Sequence, residues 1–345
     1  NNTTPSAAYF QGKLYVAYTD TNQNINIAVC SGSPNDPSAT WSSYQVTTTT
    51  NESTIYSPTL IAEDNRLALY FPSNNNPGAF NSLATSYEYI RYLYSLDPAS
   101  GNWGASFNTA AGEYTGISGQ LNYEVTSPIA ATTFQGRTVL AFRSYASGGG
   151  FNAGNGSIVL LTSSATAPSA TVPRPALSWN EYNTNVSNVN GVGLTTDQSL
   201  LYLTTGHNFA SSNPASWIWS LAPTTLNKGE WSMDNQQTIS GPSLFNDNDA
   251  YGSADDGDSY NVATVVPFMA NGHLMATWTG SNENVQIGNL DTTVSTPIQQ
   301  SLAGYSLDGN IDVNGDGFAD VLISDPTSPS QGVDNQYVLF GGDYL

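Results

Sequence analysis

Five times along the chain a short apolar run enters a turn rich in Gly, Asn or Asp and returns as a second run rich in Leu, Tyr and Ala. The copies are PSAAYFQGKLYVAYTD (5–20), SPTLIAEDNRLALYFPS (57–73), SPIAATTFQGRTVLAFRS (127–144), GVGLTTDQSLLYLTTG (191–206) and VATVVPFMANGHLMATWTG (262–280). Apolar and polar positions alternating on both sides of a short turn predict a β-hairpin. After each copy comes a third alternating run: NINIAV, YIRYLYSL, GSIVLLTS, SWIWSL and NVQIGNL. In the first four units a fourth piece follows, built around Trp41, Trp103, Trp179 or Trp231. A sixth unit, SLAGYSLDGNIDVNGDGFADVLISDP (301–326) followed by NQYVLFGG (335–342), keeps the strand order but exchanges the short turn for an acidic loop.

Four strands per unit, repeated at a spacing of roughly 40 to 70 residues, is the sequence form of a β-propeller blade with loop insertions. The expected fold is therefore all-β: a single β-propeller of six to seven four-stranded blades spanning residues 1–345. A seventh blade would have to lie in 235–260, and the strand near Pro5 would close the ring beside the last blade. A pair of packed sheets is the structural alternative. The Gly-, Ser- and Pro-rich clusters fall between strands or between units, so they read as loops rather than as a domain boundary.

Composition supports strands over helices. Charged residues make up 10% of the chain, against ~25% in an ordinary soluble domain, while Tyr reaches 20 copies. The net charge of -20 arises from 27 acidic and 7 basic residues, which argues against nucleic acid as a partner because phosphate binding needs clustered Lys and Arg. No apolar run is long enough to cross a bilayer as a helix. Cys30, the single cysteine, rules out an internal disulfide and reads as a small buried apolar residue. The chain opens NNTTPSAAYF and stops just after a strand pattern, so it reads as a mature or excised piece of a larger protein.

The sixth unit carries the sharpest motif, DVNGDGFAD (312–320). Ca2+ takes six to eight hard oxygen ligands, and a short loop supplies them from alternate positions where Gly allows a tight path. The candidates are Asp312, Asn314, Asp316 and Asp320, with the Phe318 carbonyl between the last two. An EF-hand would need a Glu where Ile323 stands, and the flanks alternate like strands. The run DVNGDGFADVLISDP…YVLFGG resembles an FG-GAP repeat, the calcium-binding blade unit of integrin α-chain propellers, placed here at about 300–345. Ser324 and Asp325 depart from that family's pattern. The resemblance implies Ca2+ held by the same five residues, with a structural role. The remaining units resemble, more weakly, lectin and sialidase-like propellers. A second acidic stretch, with Asp247, Asp249, Asp255, Asp256 and Asp258, fits no named loop and reads as solvated.

Signals of catalysis are sparse. His207 and His273 each stand alone beside a Gly turn, and Glu63, Glu88, Glu113, Glu124, Glu181 and Glu230 are scattered without a recognisable pair. Aromatic faces with planar polar side chains suit sugars. Trp41, Trp103, Trp217, Trp219 and Trp231 are thus the candidate ligand-binding residues, although recurrence with the repeat is equally what packing between blades would produce. The expected function is an extracellular, secreted or cell-surface recognition and adhesion module. Its ligand would be a glycan or a cell-surface protein, without membrane insertion, and it would be capable of self-assembly. The rivals are a propeller hydrolase or lyase acting on polysaccharide, and a purely structural surface or filament component.

Overall fold

The structure is a computed structural model. It describes residues 5–20, 24–32, 38–46, 57–63, 66–73, 89–101, 123–125, 127–146, 157–163, 179–187, 191–205, 216–239, 265–270, 272–279, 285–290, 306–311, 320–325 and 335–339, together with Asn22 and Trp103. These residues form six antiparallel sheets, each made of consecutive strands. The first sheet holds β1 (Ser6–Phe10), β2 (Lys13–Thr19), β3 (Ile25–Cys30) and β4 (Trp41–Gln45), and the second β5 (Thr59–Glu63), β6 (Arg66–Ser73) and β7 (Tyr89–Ser95). The third contains β8 (Tyr123–Val125), β9 (Ala130–Phe134), β10 (Arg137–Ala146), β11 (Ser157–Ser163) and β12 (Trp179–Ser187). The fourth contains β13 (Val192–Thr196), β14 (Leu201–Thr205), β15 (Ser216–Thr225) and β16 (Glu230–Ile239). The fifth has β17 (Val266–Ala270), β18 (His273–Thr279) and β19 (Val285–Asn289), and the sixth β20 (Ser306–Ile311), β21 (Asp320–Asp325) and β22 (Asn335–Leu339).

The leading strands touch in sequence order: β1 lies beside β5, β5 beside β9, β9 beside β13, β13 beside β17, and β17 beside β20. β20 then touches β1, which closes the ring. This is the all-β propeller that the hairpin repeat predicts, and it removes the two-sheet alternative. The strand near Pro5 does meet the last sheet, but as the leading strand of the first. Of the segment 235–260 in which a seventh blade would have to lie, 235–239 belong to β16 and 240–260 lie outside the described residues.

The ring tapers towards its axis, so side chains there must be small. Gly193 in β13 shows the limit: a Cβ at that position would come within 2.3 Å of the Val265 carbonyl and 2.4 Å of Pro267 Cδ. Hydroxyls stitch neighbouring sheets near the axis where the backbone ladder cannot. Leu60 N–H donates to Ser6 Oγ at 2.9 Å, Thr204 Oγ1 donates to the Val265 carbonyl at 2.7 Å, and Thr59 Oγ1 donates to the Ile129 carbonyl. Pro5, Pro58, Pro128 and Pro267 stand at or just before the leading strands, where a missing N–H on an edge breaks no ladder.

Away from the axis the sheets separate enough for large side chains. Phe10, Tyr15, Ile27, Leu67, Leu69 and Phe71 fill the space between the first and second sheets. Tyr70, Ile90, Val125, Leu140, Phe142 and Leu161 fill the next. Phe134, Leu160, Leu194, Leu203, Trp219 and Trp231 fill the one between the third and fourth. Cys30 is a free, fully buried thiol, as expected.

Candidate functional site

The two faces of the ring differ in what connects the strands. On one face the first and second strands of five sheets are joined by the short connections 11–12, 64–65, 135–136, 197–200 and 271–272. Gln11 and Gln135 have φ of 49° and 48°, and the glycines after them φ of 76°. Positive φ at both central residues is the hairpin turn that matches strand twist. The glutamines also tie adjacent sheets: Gln11 Nε2 donates to the Leu96 carbonyl at 3.2 Å. Gln135 N–H donates to Gln198 Oε1 at 2.8 Å, and Gln198 Nε2 donates to the Thr133 carbonyl at 2.9 Å. The first-to-second-strand turns 11–12 and 135–136 are thus clasped to the neighbouring sheets on this face, which also receives the connections 31–40 and 164–178.

The opposite face receives more of the long connections: 46–58 and 240–265 between sheets and 74–88, 147–156 and 206–215 within them. Long connections on a rigid scaffold are where binding and catalytic groups concentrate. Glu52, Glu88 and the acidic residues of 246–258 belong to these connections. β8 also reaches this side. It pairs with the far end of β10, Glu124 opposite Tyr145, while β9 pairs with the near end. The leading strand of the third sheet is thus broken in two, and buried Ser127 fills the gap: its Oγ accepts Arg143 N–H at 2.9 Å and donates to the Pro128 carbonyl. Asp20 ends β2 on the same face. Burial pushes its carboxyl up, but hydrogen bonds from Asn24 and Asn26 and the Asn22 N–H outweigh that and hold it below the usual carboxylate range.

Of the candidate aromatic residues, Trp219 and Trp231 are buried between the third and fourth sheets. Trp231 Nε1 donates to Thr162 Oγ1 at 3.2 Å, and its ring meets Phe134 edge-on. These two rings are packed against protein on all sides and present no face to a ligand. Trp103 packs on the first core and donates from Nε1 to Tyr44 Oη at 2.9 Å. Trp41 is 49% exposed on the outer strand β4. Trp217 lies on β15, with its side chain outside the described residues. At Trp103 and Trp231 the repeat of Trp along the sequence is a repeat of packing. Asp312, Asn314, Asp316 and Phe318 lie outside the described residues, as do His207 and the acidic stretch at 246–258; Asp320 opens β21, paired with Ile311. Among the described residues, no group of three His, Cys, Asp or Glu is placed to hold a metal.

One polar cluster escaped the sequence reading. Glu63, with a fully buried side chain, sits between the second and third sheets. Its Oε1 accepts from Tyr70 Oη and Thr138 Oγ1, each at 2.6 Å. Its Oε2 accepts from Arg66 Nε at 2.9 Å and Tyr92 Oη at 3.2 Å. Arg66 Nη2 is 2.8 Å from Oε2 as an ion pair but outside hydrogen-bond geometry. The guanidinium also lies over the rings of Tyr94 (4.8 Å) and Tyr92 (5.3 Å). Burial, followed by the nearby Glu63 carboxylate, drives the Tyr70 and Tyr92 phenols well above their ordinary range. No substrate reaches this carboxylate.

No protein-family model and no curated protein matches the chain. Similarity appears at the level of structure. An α-L-arabinanase from Penicillium chrysogenum, solved with arabinobiose, aligns with a TM-score of 0.56 and 14% identity over 93% of this chain and 87% of its own. The α-L-arabinofuranosidase Arb93A from Fusarium graminearum aligns with a TM-score of 0.55 and 12% identity over 98% and 92%. AofleA from Arthrobotrys oligospora aligns with a TM-score of 0.54 and 9% identity over 97% and 83%. At such identities the likeness establishes the fold alone, an all-β propeller. The neighbours also correct the expected adhesion module: two of the three are by name an arabinanase and an arabinofuranosidase, not adhesion proteins.

Proposed function

We propose that this chain is a propeller hydrolase that cleaves glycosidic bonds in a polysaccharide, with its substrate site on the face that carries more of the long connections. The observation that carries the reading is the alignment of nearly the whole ring with an arabinanase and an arabinofuranosidase. The division of the ring into a clasped-turn face and a long-connection face supports the placement. Glycoside hydrolysis requires two carboxyl groups flanking the scissile bond, about 5 to 9.5 Å apart depending on stereochemical outcome. Glu52, Glu88, Glu124, Glu283, Asp334 and the carboxylates of 246–258 are among the acidic side chains that connectivity assigns to this face. Asp20 is committed to its turn and Glu63 to the sheet interface, so neither serves. The test is reducing-end release from arabinan and from a panel of other plant and microbial polysaccharides. Release from one of them, lost when the responsible carboxylate is replaced by its amide, is the expected result. No release from any of them would overturn the proposal.

The loop at 312–320 is a separate, structural Ca2+ site of FG-GAP type. What supports it is the donor spacing together with the pairing of Ile311 with Asp320, which makes 312–319 a hairpin connection as such a loop requires. The connection leaves β20 on the clasped-turn face, remote from the proposed substrate side. A secreted or cell-surface location, where Ca2+ is abundant, suits both sites.

A further inference from the structure

Aligned by their turns, the hairpins place Phe10, Glu63, Phe134, Thr196 and Ala270 at the same point, the last paired residue of the leading strand. Phe10 and Phe134 are buried against the following sheet. Glu63 occupies that position at the second junction, 1% exposed. Three other positions change with it. Tyr70 stands where the first and third sheets have Ala17 and Ala141, both fully buried. Ala68 stands where they have Tyr15 and Val139. Across the junction, the third sheet offers Thr138 where the first, second and fifth sheets offer Leu14, Leu67 and Leu274. The Thr138 hydroxyl is one of the two donors to Glu63 Oε1.

We infer that the Glu63 cluster is a blade-order code: it lets the second sheet dock productively only on the third. The argument is one of unmet demand. A buried carboxylate left short of a donor is strongly disfavoured. Against Leu14, Leu67 or Leu274 the Oε1 atom would lose a donor and face a methyl group. Conversely, the third sheet docked behind Phe10 would leave the Thr138 hydroxyl without its acceptor. At the first and third junctions Phe10 and Phe134 fill the same point within apolar clusters, and arrays of similar units are prone to misassembly and swapping. A buried ion pair contributes little net stability over a well-packed apolar replacement but can set register. Only the second junction carries this pair among the described residues, so it marks one place in the ring.

The test replaces the code by the residues of the first junction, in the triple variant E63F/Y70A/T138L, and compares refolding from denaturant with the unaltered chain. The expected result is that the fraction recovered as monomer falls by about half or more. The missing material should appear as larger species by light scattering, and the monomer that does form should melt lower than the unaltered chain, because Arg66 stays buried without its carboxylate. Quantitative recovery of monomer would overturn the inference. T138V, which keeps the volume and removes only the donor, is run beside it in case the triple variant cannot pack. A T138V chain that refolds to monomer in the original fraction, whatever its thermal midpoint, overturns the inference as well.

Discussion

At the scale of the residue, the buried Glu63 carboxylate is held by named donors, Tyr70 and Thr138 on one oxygen and Arg66 and Tyr92 on the other. Glu63 is the most exposed to loss, in the energetic sense. Removing it strands the Arg66 guanidinium, which is 3% exposed, between two tyrosines. Glu63→Ala is expected to destabilise the fold by about 3 to 5 kcal/mol, read from the midpoint of urea unfolding. Tyr70→Phe, which deletes a single donor to Oε1, is expected to cost about 1 kcal/mol. Equal losses for the two would show that the carboxylate is not the centre of the network. The phenols give a second expectation. Burial pushes Tyr44 up to about 12, although the Trp103 N–H works against it. A folded phenol that titrates above its unfolded value near 10 holds its proton more tightly in the native state. Its contribution is therefore complete below pH 10 and is lost as pH rises from 10 through 12. Thermal midpoints should be level up to about pH 10 and then fall. The Tyr44→Phe chain should fall less steeply, and an identical slope would remove Tyr44 as a contributor. Glu63 was visible in the sequence all along as a carboxylate where aligned hairpins have Phe. Without the turn alignment it looked like one of several scattered glutamates.

At the scale of the element, the hairpin repeat was legible because alternation and turn chemistry are local properties. FQGK and FQGR, at 10–13 and 134–137, each forecast a turn that the backbone delivers with positive φ at Gln and Gly. Sheet-to-sheet packing is not local, and the sequence left it open. Trp219 and Trp231 could be read as ligand platforms or as core, and only the placement of the third sheet against the fourth decides for core. The interrupted leading strand β8–β9 was also hidden, since Ser127 and Pro128 look like an ordinary strand start. Gly193 is an element-scale constraint of the same kind. It gives no turn signal, yet a methyl there would lie 2.5 Å from Thr204 Oγ1 as well as against Val265 and Pro267. Gly193→Ala should destabilise the chain by about 1 to 3 kcal/mol through overpacking. Hydrogen exchange should show the loss centred on β13 and β17. A neutral substitution would mean that the fourth and fifth sheets separate more easily than their hydrogen bond from Thr204 implies.

At the scale of the whole molecule, the proposed substrate side and the proposed Ca2+ loop fall on opposite faces of the ring. Function was the least legible level because a propeller places its reactive groups on connections whose lengths and sequences obey no repeat. The acidic loop was legible because its donors are contiguous. If Ca2+ pins the connection between β20 and β21 on the clasped-turn face, its removal frees four carboxyl and amide side chains to repel one another and loosens the sheet that closes the ring between β17 and β1. Chelation should then lower the thermal midpoint by several degrees, since about 1 kcal/mol moves the midpoint of a domain this size by about 2 °C. Restoring Ca2+ should reverse the shift, and Asp316→Ala should abolish the response. Well below the transition, glycan hydrolysis should proceed at the same rate with and without chelator, because the cleaving carboxylates lie across the ring. A rate that falls with the metal while the fold stays intact would place the loop within the substrate site and reverse the assignment of the faces. An unchanged midpoint would remove calcium from the account of how the ring is held shut.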